Sequence, residues 1–482
     1  MTVTAPPPLA DLDLVGGATH TFEVEDPATT EVLAHVGDGG VDEARAAVAA
    51  AYGAGPDWRA AAPRVRSEVL RRAYELVLRD ADRLALLLMA ENGKPEADAR
   101  AEVGYAAEFF RWYAEEAVRP GGSWGEAPAG GSRAIVTQQP VGVAALVTPW
   151  NFPAAMITRK VAPALAAGCT VVVKPAAETP LTALALGALL REAGVPDGVV
   201  NLVPTTDPGT VVSTWLDDPR VRKISFTGST RVGQVLLRQA ADRVVVSSME
   251  LGGNAPFVVT EDADIEAAVA GALVAKFRNG GQACTAANRF LVHEAVAPAF
   301  TAALGAAVTR FRVGPAGTTG GVDIGPMITA AQAERLERTV QRALDDGARL
   351  AHRATVPDGL RGHFVAPVVL DRVAPDAAVV SDEIFGPVAP IVTWTDTDDV
   401  VALANASEYG LAAYVYAGDL RRALRIGEAL EAGMVGVNRG SVSDPSAPFG
   451  GVKQSGLGRE GARQGLEEFT ETKLLSLDWP EA

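Results

Sequence analysis

The sequence predicts an α/β protein of more than one domain, built on parallel sheets with helices on both faces. Three observations carry this. The chain has 482 residues, more than one hydrophobic core organises, so two or three domains are expected. From Ala144 onward, short β-branched runs alternate with alanine-rich segments of helical spacing, the pattern of a parallel sheet whose crossovers are helices. A hydrophobic content of 48% with 21% charged residues is that of a soluble globular enzyme.

Taken in order, residues 41–120 read as helices, because Asp42–Tyr52 and Arg64–Asn92 carry apolar residues three and four apart. Gly121–Ser132 is glycine-rich and leads into the alternating run Arg133–Gln138, which reads as a hairpin arm. Strands are expected at Ala144–Thr148, Thr170–Lys174, Val200–Val203, Lys223–Thr227 and Val244–Val246. After Gly253 a second alternation begins, with strands at Ala255–Thr260, Val388–Val392 and Gly433–Asn438, implying a second α/β domain of about 200 residues. No internal repeat is visible, and 49 glycines and 31 prolines stay below the level of low complexity.

A net charge of −16 without any block of lysines or arginines argues against nucleic acid or an anionic membrane as partner. The start Met1–Pro8 lacks the basic and apolar regions of a signal peptide, and no stretch of about 18 apolar residues occurs, so a cytoplasmic location is expected. The two cysteines, Cys169 and Cys284, stand in dissimilar contexts without metal-ligand spacing, so neither a disulfide framework nor a metal is expected. None of the five histidines lies in a motif, which leaves a Cys–His or Ser–His–Asp mechanism without a base.

Cys284, in the run Phe277-Arg-Asn-Gly-Gly-Gln-Ala-Cys284, is a candidate nucleophile; the alternative is a small buried hydrophobe. A thiol is mostly protonated at neutral pH and needs a proton acceptor or an electropositive setting. Glu250 is a candidate acceptor, where an apolar run gives way to Leu251-Gly-Gly; a solvated turn is the other reading. The motif Gly456-Leu-Gly458-Arg-Glu-Gly461 matches a dinucleotide-binding pattern, but the residues after it are too few for a βαβ unit. A better phosphate loop is Lys223–Leu237, where a strand passes through Gly228-Ser229 into a helix whose first N–H groups are free, although such a turn is equally often structural. Lys174 closes a strand at the sheet edge where such folds bind ligands, or simply faces solvent.

Together, Thr148-Pro-Trp-Asn-Phe-Pro153, Lys174-Pro175, Phe226-Thr-Gly-Ser229, Glu250-Leu-Gly-Gly253, Gly281-Gln-Ala-Cys284, Glu383-Ile-Phe-Gly-Pro387 and Pro448-Phe-Gly-Gly-Val-Lys453 resemble the aldehyde dehydrogenase superfamily, in its order and spacing and over essentially the whole chain. The resemblance implies an aldehyde dehydrogenase-like fold: a Rossmann-like NAD(P)-binding domain at 1–121 and 141–252, an α/β catalytic domain at 253–453, and a β-hairpin oligomerisation arm at 122–140 and 471–482 that joins a homodimer or homotetramer. It further implies Cys284 as nucleophile, Glu250 as base for a deacylating water, and Asn151 with the Cys284 N–H as oxyanion hole. Lys160 and Glu460 match positions linked to proton relay. Thr148, Pro149, Trp150, Lys174, Ala177, Thr227, Gly228, Ser229, Val232, Leu251, Gly252, Glu383 and Phe385 match the cofactor site. Ala177 stands where strictly NAD-using members often carry a glutamate, so NADP is expected to be tolerated or preferred over NAD.

Arg159 and Arg278 flank the Asn151 and Cys284 motifs, and two guanidinium groups at one mouth suit a small aldehyde bearing a carboxylate; structural ion pairing is the alternative. With Ser443 they resemble the substrate contacts of succinate-semialdehyde dehydrogenases, which implies oxidation of succinate semialdehyde to succinate through a thiohemiacetal and a thioester. Ala286 replaces the second cysteine of that subfamily's redox switch, so that regulation is expected to be absent. Asn438-Arg-Gly440 and the loop Ser441–Ser446 depart from its pattern, which keeps glutarate semialdehyde and broad aldehyde specificity open. A non-catalytic ligand-binding relative is the reading from another class.

Overall fold

The computed structural model describes residues 12–119 and 121–479; the N-terminal part of the expected first segment and the last three residues of the expected arm lie outside the described residues. Two large sheets organise the chain. In the first, Gly456–Leu457, Val246–Glu250, Val221–Thr227, Val143–Val147, Thr170–Lys174 and Val200–Leu202 lie side by side in that order. All neighbours are parallel except Gly456–Leu457, which runs antiparallel to Val246–Glu250. In the second, the order is Arg349–Arg353, Val368–Asp371, Val388–Trp394, Ala287–His293, Ala255–Val259, Ala412–Tyr416, Met434–Val437, parallel but for the first pair.

Each sheet is covered on both faces, which explains why its strands read as unbroken apolar runs. Ala144, Leu146, Val171 and Val173 enter one core while Val143, Ala145, Val147 and Val172 enter another, the period-two alternation of a strand. Phe257 and Val259 on one side and Val258 on the other repeat the arrangement in the second sheet. The helices Pro63–Arg79, Ala81–Glu91, Glu96–Glu116 and Pro153–Ala167 contribute to the first of these cores.

The expected strands occur with shifted ends, and two differences have local causes. The helical stretch Arg64–Asn92 is two helices that break at Asp80. The run Val244–Val246 is mostly a turn: Val244 has φ +55° and is 88% exposed, and the strand is Val246–Glu250, because helix Thr230–Ala241 must first reverse direction. Gly456, in the rejected glycine pattern, pairs with Glu250 across the edge of the first sheet. The expected arm forms a three-stranded antiparallel sheet of Ser123–Glu126, Ser132–Pro140 and Thr470–Asp478. No helix among the described residues is long and apolar enough to cross a membrane.

Candidate active site

Cys284 sits where the carboxyl edge of the first sheet, at the end of Val246–Glu250, meets the amino edge of the second, just ahead of Ala255 and Ala287. Helix Ile265–Phe277 ends at Arg278, and the chain reverses through Asn279, Gly280 and Gly281, with φ of +52°, +62° and +76°. Only glycine fits Gly281, since a Cβ there would lie 2.4 Å from the Gly386 carbonyl oxygen. Across the junction a Cβ on Gly253 would lie 2.2 Å from the Cys284 carbonyl oxygen, so the Glu250-Leu-Gly-Gly turn and the cysteine loop touch backbone to backbone. The loop is held at both ends: buried Lys276 Nζ donates to Asn288 Oδ1 at 2.8 Å, and Asn279 N–H donates to Asp98 at 2.7 Å.

Asn151 follows the central strand Val143–Val147 and precedes helix Pro153–Ala167. Its Nδ2 donates to the Gln282 carbonyl at 3.0 Å, which brings the side-chain amide against the cysteine loop and leaves its second N–H for a ligand. Its own carbonyl accepts from Lys94 Nζ at 2.9 Å and from Asn279 Nδ2 at 2.8 Å. Lys94 is in turn ion-paired to buried Glu102, whose other oxygen accepts the N–H groups of Ala154 and Ala155 at 2.9 and 3.2 Å. A carboxylate thereby caps the helix start and sets the amide's orientation.

Glu250 ends its strand buried, with Oε2 lacking a hydrogen-bond partner. Burial, reinforced by the charge of Glu460, raises its pKa well above the usual carboxylate range, while Lys160, Arg159 and Arg459 oppose the shift. Lys160 Nζ donates to Glu460 at 2.5 Å and to Ser225 Oγ at 2.9 Å. Arg159 Nε lies 3.3 Å from the other Glu460 oxygen. The half-buried Cys284 thiol is pushed up to about 12, chiefly by burial, with Arg159 and Arg278 opposing the rise. The resting thiol is therefore protonated at neutral pH, and any reaction must remove its proton in the event.

One cavity of about 350 Å³ is lined by Cys284 and Asn151 on one side and by Pro149, Trp150, Thr227, Gly228, Ser229, Leu251, Gly252, Glu383 and Phe385 on another, while Glu250, Lys160 and Glu460 stand behind its wall. It opens where strand order reverses, between Val143–Val147 and Val221–Thr227, the usual ligand crevice of a parallel sheet. Ser229 caps helix Thr230–Ala241, accepting the Val232 N–H at 3.4 Å. Glu383 Oε1 accepts the Gly253 N–H at 3.0 Å, and burial raises its pKa to about 6. Trp150 and Phe385 meet edge to face at 5.5 Å. Thr148, Lys174, Ala177 and Val232 do not line this cavity; Thr148 N–H donates to the Lys174 carbonyl at 3.1 Å, and Lys174 is buried rather than solvent-facing, with its pKa lowered by that burial.

The same cavity is lined by Arg159, Arg278 and Ser443. Arg159 is buried over the Phe449 ring at 4.0 Å, and Arg278 lies over Phe152 at 5.2 Å. Sequence reasoning missed Tyr105, whose hydroxyl accepts from Arg159 Nη2 at 2.7 Å, as well as the Lys94–Glu102 pair; Tyr105 and Glu102 sit within helix Glu96–Glu116 and Lys94 in the loop before it, with no local signal. A thiol and an amide donor on one cavity, with the buried Glu250 carboxyl directly preceding Leu251 of its wall, are the parts that covalent acyl chemistry needs.

Comparison with known proteins agrees with this geometry. The profile of the Aldehyde dehydrogenase family matches residues 14–475. A succinate-semialdehyde dehydrogenase of Paenarthrobacter nicotinovorans is 50% identical over 449 residues, covering 93% of this chain and 99% of that protein. A 3-sulfolactaldehyde dehydrogenase of Pseudomonas putida is 48% identical, covering 95% of this chain and 93% of that one. The crystal structure of an NADP-dependent enzyme of E. coli superposes with a TM-score of 0.94 at 46% identity, over 97% of this chain and 98% of the other. With a match that spans nearly its whole length, the chain belongs to the aldehyde dehydrogenase family.

Proposed function

We propose that this protein oxidises aldehydes that carry an anionic tail, succinate semialdehyde foremost, to the corresponding acids with NADP or NAD. The observation that carries the proposal is the pair of guanidinium groups, Arg159 and Arg278, which with Ser443 line the cavity of Cys284. Arginine forks match carboxylates in bidentate geometry. The two relatives above are named for aldehydes ending in a carboxylate and a sulfonate, which supports an anion-binding end without separating the two tails.

In this reading Cys284 Sγ adds to the aldehyde carbon as its proton passes to solvent water, and the alkoxide is received by the free Asn151 N–H and the Cys284 backbone N–H. A preorganised donor of this kind is worth about 3 kcal/mol. Nicotinamide, when bound, supplies the hydride acceptor, and the substrate is left as a thioester on Cys284. Glu250 takes a proton from the water that attacks this thioester, and the Lys160–Glu460 pair beside it carries the proton onward. Per turnover, aldehyde, water and oxidised cofactor become carboxylate, reduced cofactor and two protons.

The cofactor wall suits a dinucleotide. Thr227 Oγ1 is buried there without a hydrogen-bond partner, and the first-turn N–H groups of Thr230–Ala241 suit a pyrophosphate. Gly252 lets Glu383 approach, since a Cβ would lie 2.9 Å from its Oε2, and that carboxylate suits ribose hydroxyls. Ala177 presents no carboxylate to repel a 2′-phosphate, in line with the NADP dependence named for the E. coli relative. The arm sheet suits a homodimer or homotetramer, and a free thiol at the reaction centre suits the reducing cytoplasm.

An aldehyde panel with NAD and NADP side by side tests the proposal. Succinate semialdehyde is expected to exceed butyraldehyde in kcat/KM by tenfold or more, roughly the worth of one charge-assisted hydrogen bond. Glutarate semialdehyde and 3-sulfolactaldehyde measure tail preference. Equal efficiency on butyraldehyde would remove the anion-site reading, and no reduced cofactor with any aldehyde would favour a ligand-binding relative.

A further inference from the structure

Resting on that reading, we infer that Tyr105 is a specificity-determining residue, which turns Ser443 into a hydrogen-bond donor facing the anionic tail. Tyr105 lies in helix Glu96–Glu116, far in sequence from both partners, and lines the cavity with them. Its hydroxyl is 2.7 Å from Arg159 Nη2 and 2.6 Å from Ser443 Oγ, and Arg159 Nη2 is 3.5 Å from the same Ser443 oxygen.

The direction of these bonds follows from chemistry. A guanidinium only donates, so the Tyr105 oxygen accepts from Arg159. Between Tyr105 and Ser443 a phenol is by nature much the stronger acid, and its oxygen is already occupied by Arg159, so Tyr105 donates to Ser443 Oγ. Ser443 meets no other hydrogen-bond partner among the described residues. Its own proton is thus left for the cavity, and the chain of donors runs Arg159 to Tyr105 to Ser443 to tail. Without the phenol hydroxyl nothing holds the Ser443 rotor, so its proton is no longer aimed at the tail in advance and binding must order it.

The guanidinium has two further holds besides Tyr105. Arg159 Nε pairs with Glu460 at 3.3 Å, and its face lies on Phe449 at 4.0 Å. The tyrosine ring itself packs edge-on to Phe109 at 5.0 Å, a contact that phenylalanine keeps. Tyr105→Phe therefore removes the donor chain while leaving the arginine and the packing in place.

The test measures Tyr105→Phe, Ser443→Ala and the double variant on succinate semialdehyde and butyraldehyde, with succinate as a competitive inhibitor of butyraldehyde oxidation. For Tyr105→Phe, KM for succinate semialdehyde and Ki for succinate are expected to rise about tenfold, the loss of a preorganised donor to a charge, with kcat/KM for butyraldehyde changed far less. The double variant is expected to lose no more than Ser443→Ala alone, because the two act as one unit. Equal losses on both aldehydes, an unchanged Ki for succinate, or additive effects would overturn the inference. A wild-type enzyme without preference for the acid aldehyde would instead overturn the proposed function on which it rests.

Discussion

At Glu250 the environment and the proposed task pull in opposite directions. A water-activating base must be ionised, yet burial and the neighbouring Glu460 raise the carboxyl's pKa, and only Lys160, Arg159 and Arg459 hold it down. A carboxyl with a raised pKa loses its proton only as pH climbs through that raised value, so turnover limited by thioester hydrolysis should rise with pH there, above the ordinary value of 4.5. Glu250→Gln is expected to flatten this limb, cut steady-state turnover by about 10²–10⁴, and leave a single burst of reduced cofactor with one acyl group per subunit, visible as a mass increase. The same shift has a stability sign: the neutral form is the one the fold favours, so stability is greatest below 4.5 and is lost as pH rises through the folded pKa. The glutamine variant should therefore melt above wild type at pH 8; an unchanged pH profile and no burst would remove Glu250 from the mechanism. Cys284, Glu250 and Asn151 were legible in sequence because each stands in a short run with glycine or proline neighbours. Tyr105 was not, since an aromatic residue within an amphipathic helix looks like core and its partners stand 54 and 338 residues away.

Helix Pro153–Ala167 shows how one element serves several groups at once. It follows Asn151, carries Arg159 and Lys160, and is buried along most of its length, so its place is set by what holds its N-terminus. That hold is Glu102, which accepts two of the helix's first N–H groups and pairs with Lys94, itself bonded to the Asn151 carbonyl. Glu102→Ala leaves a buried ammonium unpaired, a loss of about 3–5 kcal/mol, and should lower Tm and kcat together. Pairing it with Lys94→Met should recover most of the Tm, since the uncompensated charge is gone, but not the kcat, since Asn151 has still lost its anchor. Recovery of both would make the pair purely structural. The strands of the first sheet were readable from β-branched runs, with ends off by a residue or two and a larger shift where a turn intervened at Val244, whereas Ala287–His293 and Ala412–Tyr416 of the second sheet were not singled out. The order of the strands was not readable, because pairings such as Val143–Val147 with Val221–Thr227 are fixed by contacts between distant segments.

For the whole molecule the arm is the unsatisfied part. Thr470–Asp478 pairs on one side with Ser132–Pro140, residue by residue from Thr470 with Pro140 to Asp478 with Ser132, and its other edge is the free end of a three-stranded sheet. Natural edges of this length are usually blunted by charge, proline or a bulge. This one carries the exposed charges Lys473 and Asp478 but between and beside them exposes Leu474, Leu475, Leu477 and Trp479, with Trp124 beside Trp479 at 6.2 Å. A strand edge with apolar side chains offers main-chain hydrogen bonds and burial to another copy together, and this pairing would bring extra subunits without touching the Cys284 cavity. A chain of net charge −16 repels its copies at long range, so such contacts must be apolar and local, and association should strengthen with salt. Leu474→Lys with Leu475→Lys is accordingly expected to lower the oligomeric mass seen by light scattering by one step, from tetramer to dimer or from dimer to monomer, with the far-UV spectrum retained. A variant that keeps the wild-type mass would move the subunit contact off the arm, whereas one that loses mass together with its secondary structure would mean the arm completes the fold of each subunit.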